Sequence, residues 1–208
     1  MSFYSRFVFP SIMERLSAGH HVEEERRLAL APARGEVLEI GFGTGLNFAH
    51  YPLSVTRVTA IDCEQMRPQR VRQRIANAPV AISTIYRDAS LGLPFADNSF
   101  DTVVTTWTLC SIRDVIPALI EVRRVLRRGG NYLFLEHGCS DDPHVARQQN
   151  LLAPVVRAIG AGCQMNRQID DLIIGSGLQI RTLDRFVMPE TPRILGKMYR
   201  GVAGWPRV

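Results

Sequence analysis

Three glycines, Gly41, Gly43 and Gly45, stand within five residues, directly after the short apolar run at 37–40. Glycine at alternate positions lets a backbone take torsions closed to other residues and approach a ligand without Cβ contacts. Such a turn does not break bonds; it offers main-chain N–H groups and whatever carboxylates flank it. One of these, Glu39, lies inside the apolar run. Asp62 closes the next apolar run, about twenty residues on, where a carboxylate can accept hydrogen bonds from two ribose hydroxyls. Asp88 closes a third run and can accept from the amino group of adenine, with the Ala89 N–H beside it. A solvated turn aspartate is the competing reading of Asp88, because Asp is common in turns.

The elements that must carry these residues alternate in type. Residues 37–40 read as a strand feeding the glycine turn, and a helix begins over 46–51. A β-branched strand at 56–61 precedes a helix over about 66–76, with Pro68 tolerated in its first turn. A third strand spans 80–86, and turn-rich LPFADNSFD (93–101) leads to a fourth at 102–106. The amphipathic helix 115–126 stops at Arg127-Arg128-Gly129-Gly130, a cationic last turn with a glycine exit. A fifth strand at 132–136, helical patterns at 143–160 and 166–174, and strands at 178–187 and 193–202 follow, with Pro189 and Pro192 between the last two. Ahead of all these, 3–30 read as two helical stretches: one with a stripe of Phe3, Phe7, Ile12, Met13 and Leu16, a weaker one with Val22, Arg26, Leu28 and Ala29.

Strand–helix alternation implies an α/β fold, a Rossmann-like, seven-stranded, mostly parallel sheet with helices on both faces. Two closing strands without a long helix between them imply an antiparallel C-terminal hairpin. We expect one domain over 1–208, comprising a helical lid (1–30), a cofactor-binding core (36–136) and substrate-side helices with closing strands (137–208). In such sheets ligands bind at the carboxyl ends of the strands, where the glycine turn sits.

A dinucleotide fingerprint, G-x-G-x-x-G, would need glycine at 46, where this chain has Leu46. The G-x-G-x-G spacing with an acid beneath it favours a cationic ligand instead. S-adenosylmethionine carries a sulfonium and an ammonium, and Glu39 makes electrostatic sense as a partner, directly or through water. E-x-G-x-G-x-G, Asp62, Asp88 ahead of LPFADNSFD, and EVRRVLRRGG (121–130) occur in this order, and as a set they resemble the class I S-adenosylmethionine-dependent methyltransferase domain, type 11 branch, over about 36–136. The resemblance implies S-adenosylmethionine as cofactor, with contacts from Glu39, Gly41, Gly43, Asp62, Asp88 and Ala89. Phe42, which stands where the family has cysteine or another small residue, is counted with that loop. Backbone contact from Thr106 to the methionine moiety, and Cys63 and Met66 lining the adenine pocket, are further implications.

The methyl acceptor is less legible, since fold does not fix substrate. Base methyltransferases carry an (Asp/Asn)-Pro-Pro-aromatic loop after the fourth strand; here Thr105-Thr106-Trp107-Thr108 stands there, which disfavours nucleic-acid bases. NFAHYP (47–52), TLCS (108–111), EHG (136–138) and GCQMNR (162–167) resemble the alkyl thiol methyltransferases of the methyltransferase-like 7 group. That resemblance implies S-methylation of a small hydrophobic thiol. Its members are monotopic, membrane-associated enzymes with a hydrophobic N-terminal anchor, whereas this chain has only a shorter, interrupted apolar helix at 3–16. A thiolate is already a strong nucleophile, so one nearby base suffices. His137, just past the fifth strand, is the expected catalytic base, facing the cofactor; a histidine merely hydrogen-bonded at the strand end is the competing reading. Phe3, Tyr4, Phe7 and Phe9 would form an apolar lid, with core packing as the alternative. Two other readings stay open: methylation of a lipid amine or phenolic oxygen, and a cofactor-binding protein without turnover.

Composition narrows the rest. The chain has 208 residues, 46% apolar and 22% charged, which suits a globular protein. It shows no run long enough for a membrane span and no signal peptide, so a cytoplasmic protein is the default. Four cysteines form no C-x-x-C pair, which argues against a disulfide framework. His137, Cys139 and His144 lack a second cysteine pair, so no metal is expected. The net charge is +5, with arginines dense at 67–74 and 123–128. Both runs read as solvated helix faces. The expected partners are therefore a lipophilic small-molecule substrate and, weakly, a membrane surface, but no nucleic acid.

Overall fold

In the computed structural model, which describes residues 19–160 and 162–206, seven strands form one sheet. They are β1 (Gly35–Ile40), β2 (Val55–Asp62), β3 (Ala81–Tyr86), β4 (Phe100–Thr106), β5 (Leu126–His137), β6 (Gln179–Val187) and β7 (Lys197–Gly204), in the spatial order β3-β2-β1-β4-β5-β7-β6. The first five run parallel. β7 runs antiparallel to β5 and β6, the expected C-terminal hairpin. Around the sheet lie α1 (His20–Leu30), α2 (Pro68–Ala76), α3 (Val115–Val125), α4 (Pro143–Ile159) and α5 (Ile169–Gly175).

The two-residue period of a strand assigns each side chain to a face. Leu38, Ile40, Val103, Tyr132 and Phe134 pack with Leu119 and Val122 of α3 and Ile169 and Ile173 of α5. Val37, Val104 and Leu133 pack on the other face with Leu30 of α1 and Val71 of α2. Burial on both faces explains why β1, β4 and β5 read as continuous apolar runs rather than alternating ones. Strand order reverses between β1 and β4, so their carboxyl ends open the crevice at which this architecture binds ligands.

Several boundaries depart from expectation. Residues 46–51 form successive tight turns, not a helix: Gly45, Phe48 and His50 each donate to the carbonyl three residues back. Side-chain demand explains it, because Asn47 and Tyr51 both reach back to Glu39 and Pro52 ends the segment. α3 stops at Val125, and Leu126 already pairs with Phe100 in extended conformation. The Arg127–Gly130 segment is therefore a kinked entry to β5, where Gly129 takes φ 83° and the register shifts. The last strand begins at Lys197 instead of 193 because residues 192–195 form a turn, with Leu195 donating to the Pro192 carbonyl. The stripe at 3–16 lies outside the described residues.

The arginine runs are not simply solvated. Arg124 hydrogen-bonds Glu121, Asp97 and the carbonyls of Leu93 and Phe95, clamping the 93–97 turn onto α3. Arg123 and Arg128 both stack on Trp205. Arg74 donates to the carbonyl and hydroxyl of Thr44, tying α2 to the glycine loop.

Candidate cofactor and acceptor site

All three loop glycines take left-handed torsions, φ 78° at Gly41, 54° at Gly43 and 81° at Gly45. Their surroundings differ. A Cβ at 41 would collide with the Thr108 side chain and one at 45 with the Phe48 ring, so protein packing demands these two. A Cβ at 43 would meet nothing within 4 Å. Gly43 is the position where the bare backbone borders open space.

Asp62, at the end of β2, holds that loop. Its Oδ2 accepts the Gly43 N–H at 2.8 Å and its Oδ1 accepts the Glu64 N–H at 3.0 Å. Burial raises its pKa, and these backbone donors work against the rise. A carboxylate offers about four lone-pair sites, and the Gly43 and Glu64 N–H groups take two of them. Asp88 caps the short 3-10 turn Ala89–Leu91, its Oδ1 accepting from Ser90 N at 2.9 Å and Ser90 Oγ at 2.7 Å. The adjoining strand ends are linked where Arg87 N donates to the Asp62 carbonyl at 2.7 Å. Ala89 is buried. Cys63 is exposed, Met66 is half-buried, and both lie in the loop between β2 and α2. Burial together with the carboxylates of Asp62, Glu64 and Asp88 pushes the Cys63 thiol up to about 12, which makes it a poor nucleophile. The Phe42 ring turns into the core against Phe48 and Tyr86, leaving only its backbone to the loop.

Glu39 does not point freely at the crevice. Its Oε1 accepts from Asn47 Nδ2 at 2.9 Å and its Oε2 from the Tyr51 hydroxyl at 2.7 Å. Complete burial lifts its pKa to about 7, against the pull of these donors and of Arg26. Arg26 reaches in from α1, and its NH1 donates to Asn47 Oδ1 at 2.8 Å and Thr106 Oγ1 at 3.3 Å while its guanidinium lies 4.5 Å from the Trp107 ring centroid. Asn47 Nδ2 also donates to Thr106 Oγ1, at 2.9 Å. One buried network thus joins α1, the glycine loop and the end of β4. Desolvation lowers the Arg26 pKa to about 10, which leaves it a cation at neutral pH.

The second half of the crevice lies past β4 and β5. Trp107 takes φ 51° as the chain leaves β4, and Glu136 Oε2 receives the N–H groups of Thr108 at 2.9 Å and Leu109 at 3.0 Å. Glu136 is fully buried, its pKa is lifted to about 8 by that burial, and its Oε1 has no hydrogen-bond partner among the described residues. His137 is 7% exposed. Its Nδ1 lies 3.5 Å from Cys163 Sγ, while its buried Nε2 has no partner among the described residues. Burial depresses the His137 pKa, so the imidazole is neutral at pH 7.

Of the residues singled out from sequence, the structure gathers Gly43, Asp62 and Asp88 with Ala89 around adjacent strand ends, and sets Thr106 and His137 at the ends of β4 and β5. Sequence reasoning missed Arg26, Asn47, Tyr51 and Glu136 as a polar understorey. The strings NFAHYP and EHG contained three of them, but nothing local marks Arg26, which meets Thr106 from eighty residues away.

The family described as methyltransferase domain matches residues 38–134. Thiol S-methyltransferase TMT1B of Homo sapiens is 33% identical over 173 residues, covering 77% of this chain and 70% of that protein. Phosphatidylethanolamine N-methyltransferase of Cereibacter sphaeroides is 29% identical over 148 residues, covering 69% and 72%. In fold, the chain is similar to the Burkholderia thailandensis 1,6-didemethyltoxoflavin-N1-methyltransferase solved with 1,6-didemethyltoxoflavin and S-adenosylhomocysteine. That match has a TM-score of 0.70 and 15% identity, covering 98% of this chain and 87% of that one.

Proposed function

The chain belongs to the class I S-adenosylmethionine-dependent methyltransferases, and from that premise we propose that it methylates small lipophilic thiols on sulfur. The observation that carries this reading is His137, a buried neutral imidazole whose Nε2 lacks a partner among the described residues at the carboxyl end of β5. The 33% identity to a thiol S-methyltransferase supports the same acceptor.

S-adenosylmethionine, when bound, supplies an electrophilic methyl group on a sulfonium. The residues present fit it: the open face at Gly43 admits a ligand against bare backbone, and Asp62 retains lone pairs for ribose hydroxyls. Asp88 and Ala89 would hold the adenine, with Cys63 and Met66 at its side and the Phe42 backbone in the loop. Glu39 acts as a positioning residue, fixing Asn47 and through it Thr106, while its carboxylate gains charge as a cationic ligand approaches. His137 takes the thiol proton at Nε2. It does so in the tautomer that donates Nδ1–H to Cys163, which leaves the Nε2 lone pair to accept a proton. Attack by a thiolate on a methyl carbon is in-line, so positioning supplies much of the acceleration.

The test is methyl transfer from labelled S-adenosylmethionine to an alkyl thiol, a thiophenol, a catechol and phosphatidylethanolamine vesicles. Turnover of thiols alone, lost in His137→Ala with cofactor affinity kept, is the expected outcome. Turnover of phosphatidylethanolamine instead would favour the second reading, phospholipid N-methylation, which the Cereibacter relative and the +5 charge support. Cofactor binding without transfer to any acceptor would leave a non-catalytic binding protein. No helix among the described residues is long and apolar enough to cross a membrane.

A further inference from the structure

The loop after β4 and the loop after α4 are bound to each other. Gln164 N donates to the Cys110 carbonyl at 2.7 Å, and the Arg167 guanidinium donates to the carbonyls of Leu109 and Arg113. This seam brings two cysteines together that the sequence separates by more than fifty residues. The Gln164–Cys110 backbone bond sets Cys163 beside Cys110, and Cys163 Sγ lies 3.5 Å from His137 Nδ1. Cys110 is buried and its Sγ approaches Ser111 Oγ at 3.6 Å, while Cys163 is partly exposed. The Cys110 thiol beside it draws the Cys163 thiol below its ordinary pKa with help from the Arg167 charge, against burial, and the same neighbour and burial hold Cys110 well above it. Cys163, partly exposed and beside an imidazole, is the sulfur an oxidant can reach, and buried Cys110 is the neighbour that can follow it.

We propose that Cys163 and Cys110 form an oxidisable pair, a modification site for hydrogen peroxide in which Cys163 reacts first and Cys110 closes a disulfide. In the first step the Cys163 thiolate attacks one peroxide oxygen, the O–O bond breaks, and the products are Cys163 sulfenic acid and hydroxide. In the second the Cys110 sulfur attacks the sulfenic sulfur, the S–O bond breaks, and the Cys110 proton leaves with the oxygen as water. The two thiols lose two electrons and two protons, and one peroxide becomes two waters. Closure turns the Cys163 thiol beside His137 Nδ1 into a weaker-accepting disulfide sulfur and locks the two loops that border the acceptor side of the crevice. Methyl transfer then falls in the oxidised protein, a consequence that rests on the base role given to His137; the bond itself does not.

The full chain is treated with hydrogen peroxide, its remaining thiols are alkylated, and intact mass and peptide mapping are read. We expect loss of two hydrogens, a Cys110–Cys163 cross-linked peptide, and Cys63 and Cys139 still alkylated. A phosphine should reverse it; a thiol reductant is avoided because it could serve as methyl acceptor. In Cys110→Ser, or Cys110→Ala if the first variant does not fold, dimedone should trap a sulfenic acid on Cys163 and no cross-link should form. Cys163 remaining as alkylatable as in the untreated protein would overturn the pair, as would oxidation of Cys63 ahead of Cys163. A cross-link that forms while thiol methylation stays undiminished would keep the pair and refute the role of His137.

Discussion

Replacing Arg26, a residue only 6% exposed, by methionine keeps the aliphatic stem and removes the guanidinium. The change strips Asn47 Oδ1 of its 2.8 Å donor, and a buried carbonyl left unpaired costs about 1–3 kcal/mol. Loss of the contact with the Trp107 ring adds about 1 kcal/mol. Against these stands relief of burying the cation: its pKa is held down from 12.5 to about 10, a penalty of about 3.5 kcal/mol at roughly 1.4 kcal/mol per unit. The contributions nearly cancel while Glu39 is protonated. They cease to cancel once it ionises, because burial lifts the Glu39 pKa to about 7 and the Arg26 cation is among the groups that oppose that rise. A carboxyl raised in the folded state binds its proton more tightly there than in the unfolded chain, so stability is greatest below its unfolded value of 4.5 and is lost as pH climbs through its folded value. Removing Arg26 raises that folded value further, and each extra unit deepens the loss by about 1.4 kcal/mol above it. Urea unfolding of both proteins should therefore differ by no more than about 1 kcal/mol near pH 5.5 and by about 1 kcal/mol more near pH 8.5. A pH-independent difference would refute the coupling of Arg26 to Glu39.

Asp62→Asn should weaken S-adenosylmethionine binding at least tenfold by calorimetry while costing only about 1 kcal/mol of stability, since the Gly43 N–H keeps an acceptor; an unchanged dissociation constant would remove Asp62 from the cofactor site. Gly43→Ala should cost about 1–2 kcal/mol for its left-handed torsion, yet reduce cofactor affinity by more than that, because the new methyl enters open space. Gly45→Ala is the contrast: its methyl meets the Phe48 ring, so the loss should fall on the unfolding midpoint first. Glu136→Gln should leave stability below about pH 4 unchanged and raise it by a few kcal/mol above pH 8, because the native carboxyl, lifted to about 8, loses stability as pH rises from 4.5 through that value. A gain of equal size at pH 5 would show packing, not ionisation, at work.

What the sequence by itself determined is what depends on short stretches of chain. Strand order along the polypeptide, the glycine loop, and the acids in or just past β1, β2 and β3 follow from short apolar runs and from residues within a few positions of one another. Local signals failed where side chains bonded beyond their own segment: 46–51 reads as a helix start until Asn47 and Tyr51 turn to Glu39, and the 123–128 arginines read as solvated until Arg124 grips the 93–97 turn. Only the tertiary structure decided that Arg26 lies under the glycine loop, that Gly43 alone of the three glycines borders open space, and that Cys163 stands against His137. The reason is physical. A hydrogen bond between residues eighty apart exists only after β1 has taken β4 as its neighbour and α1 has packed across them, and no pattern within either segment carries that information.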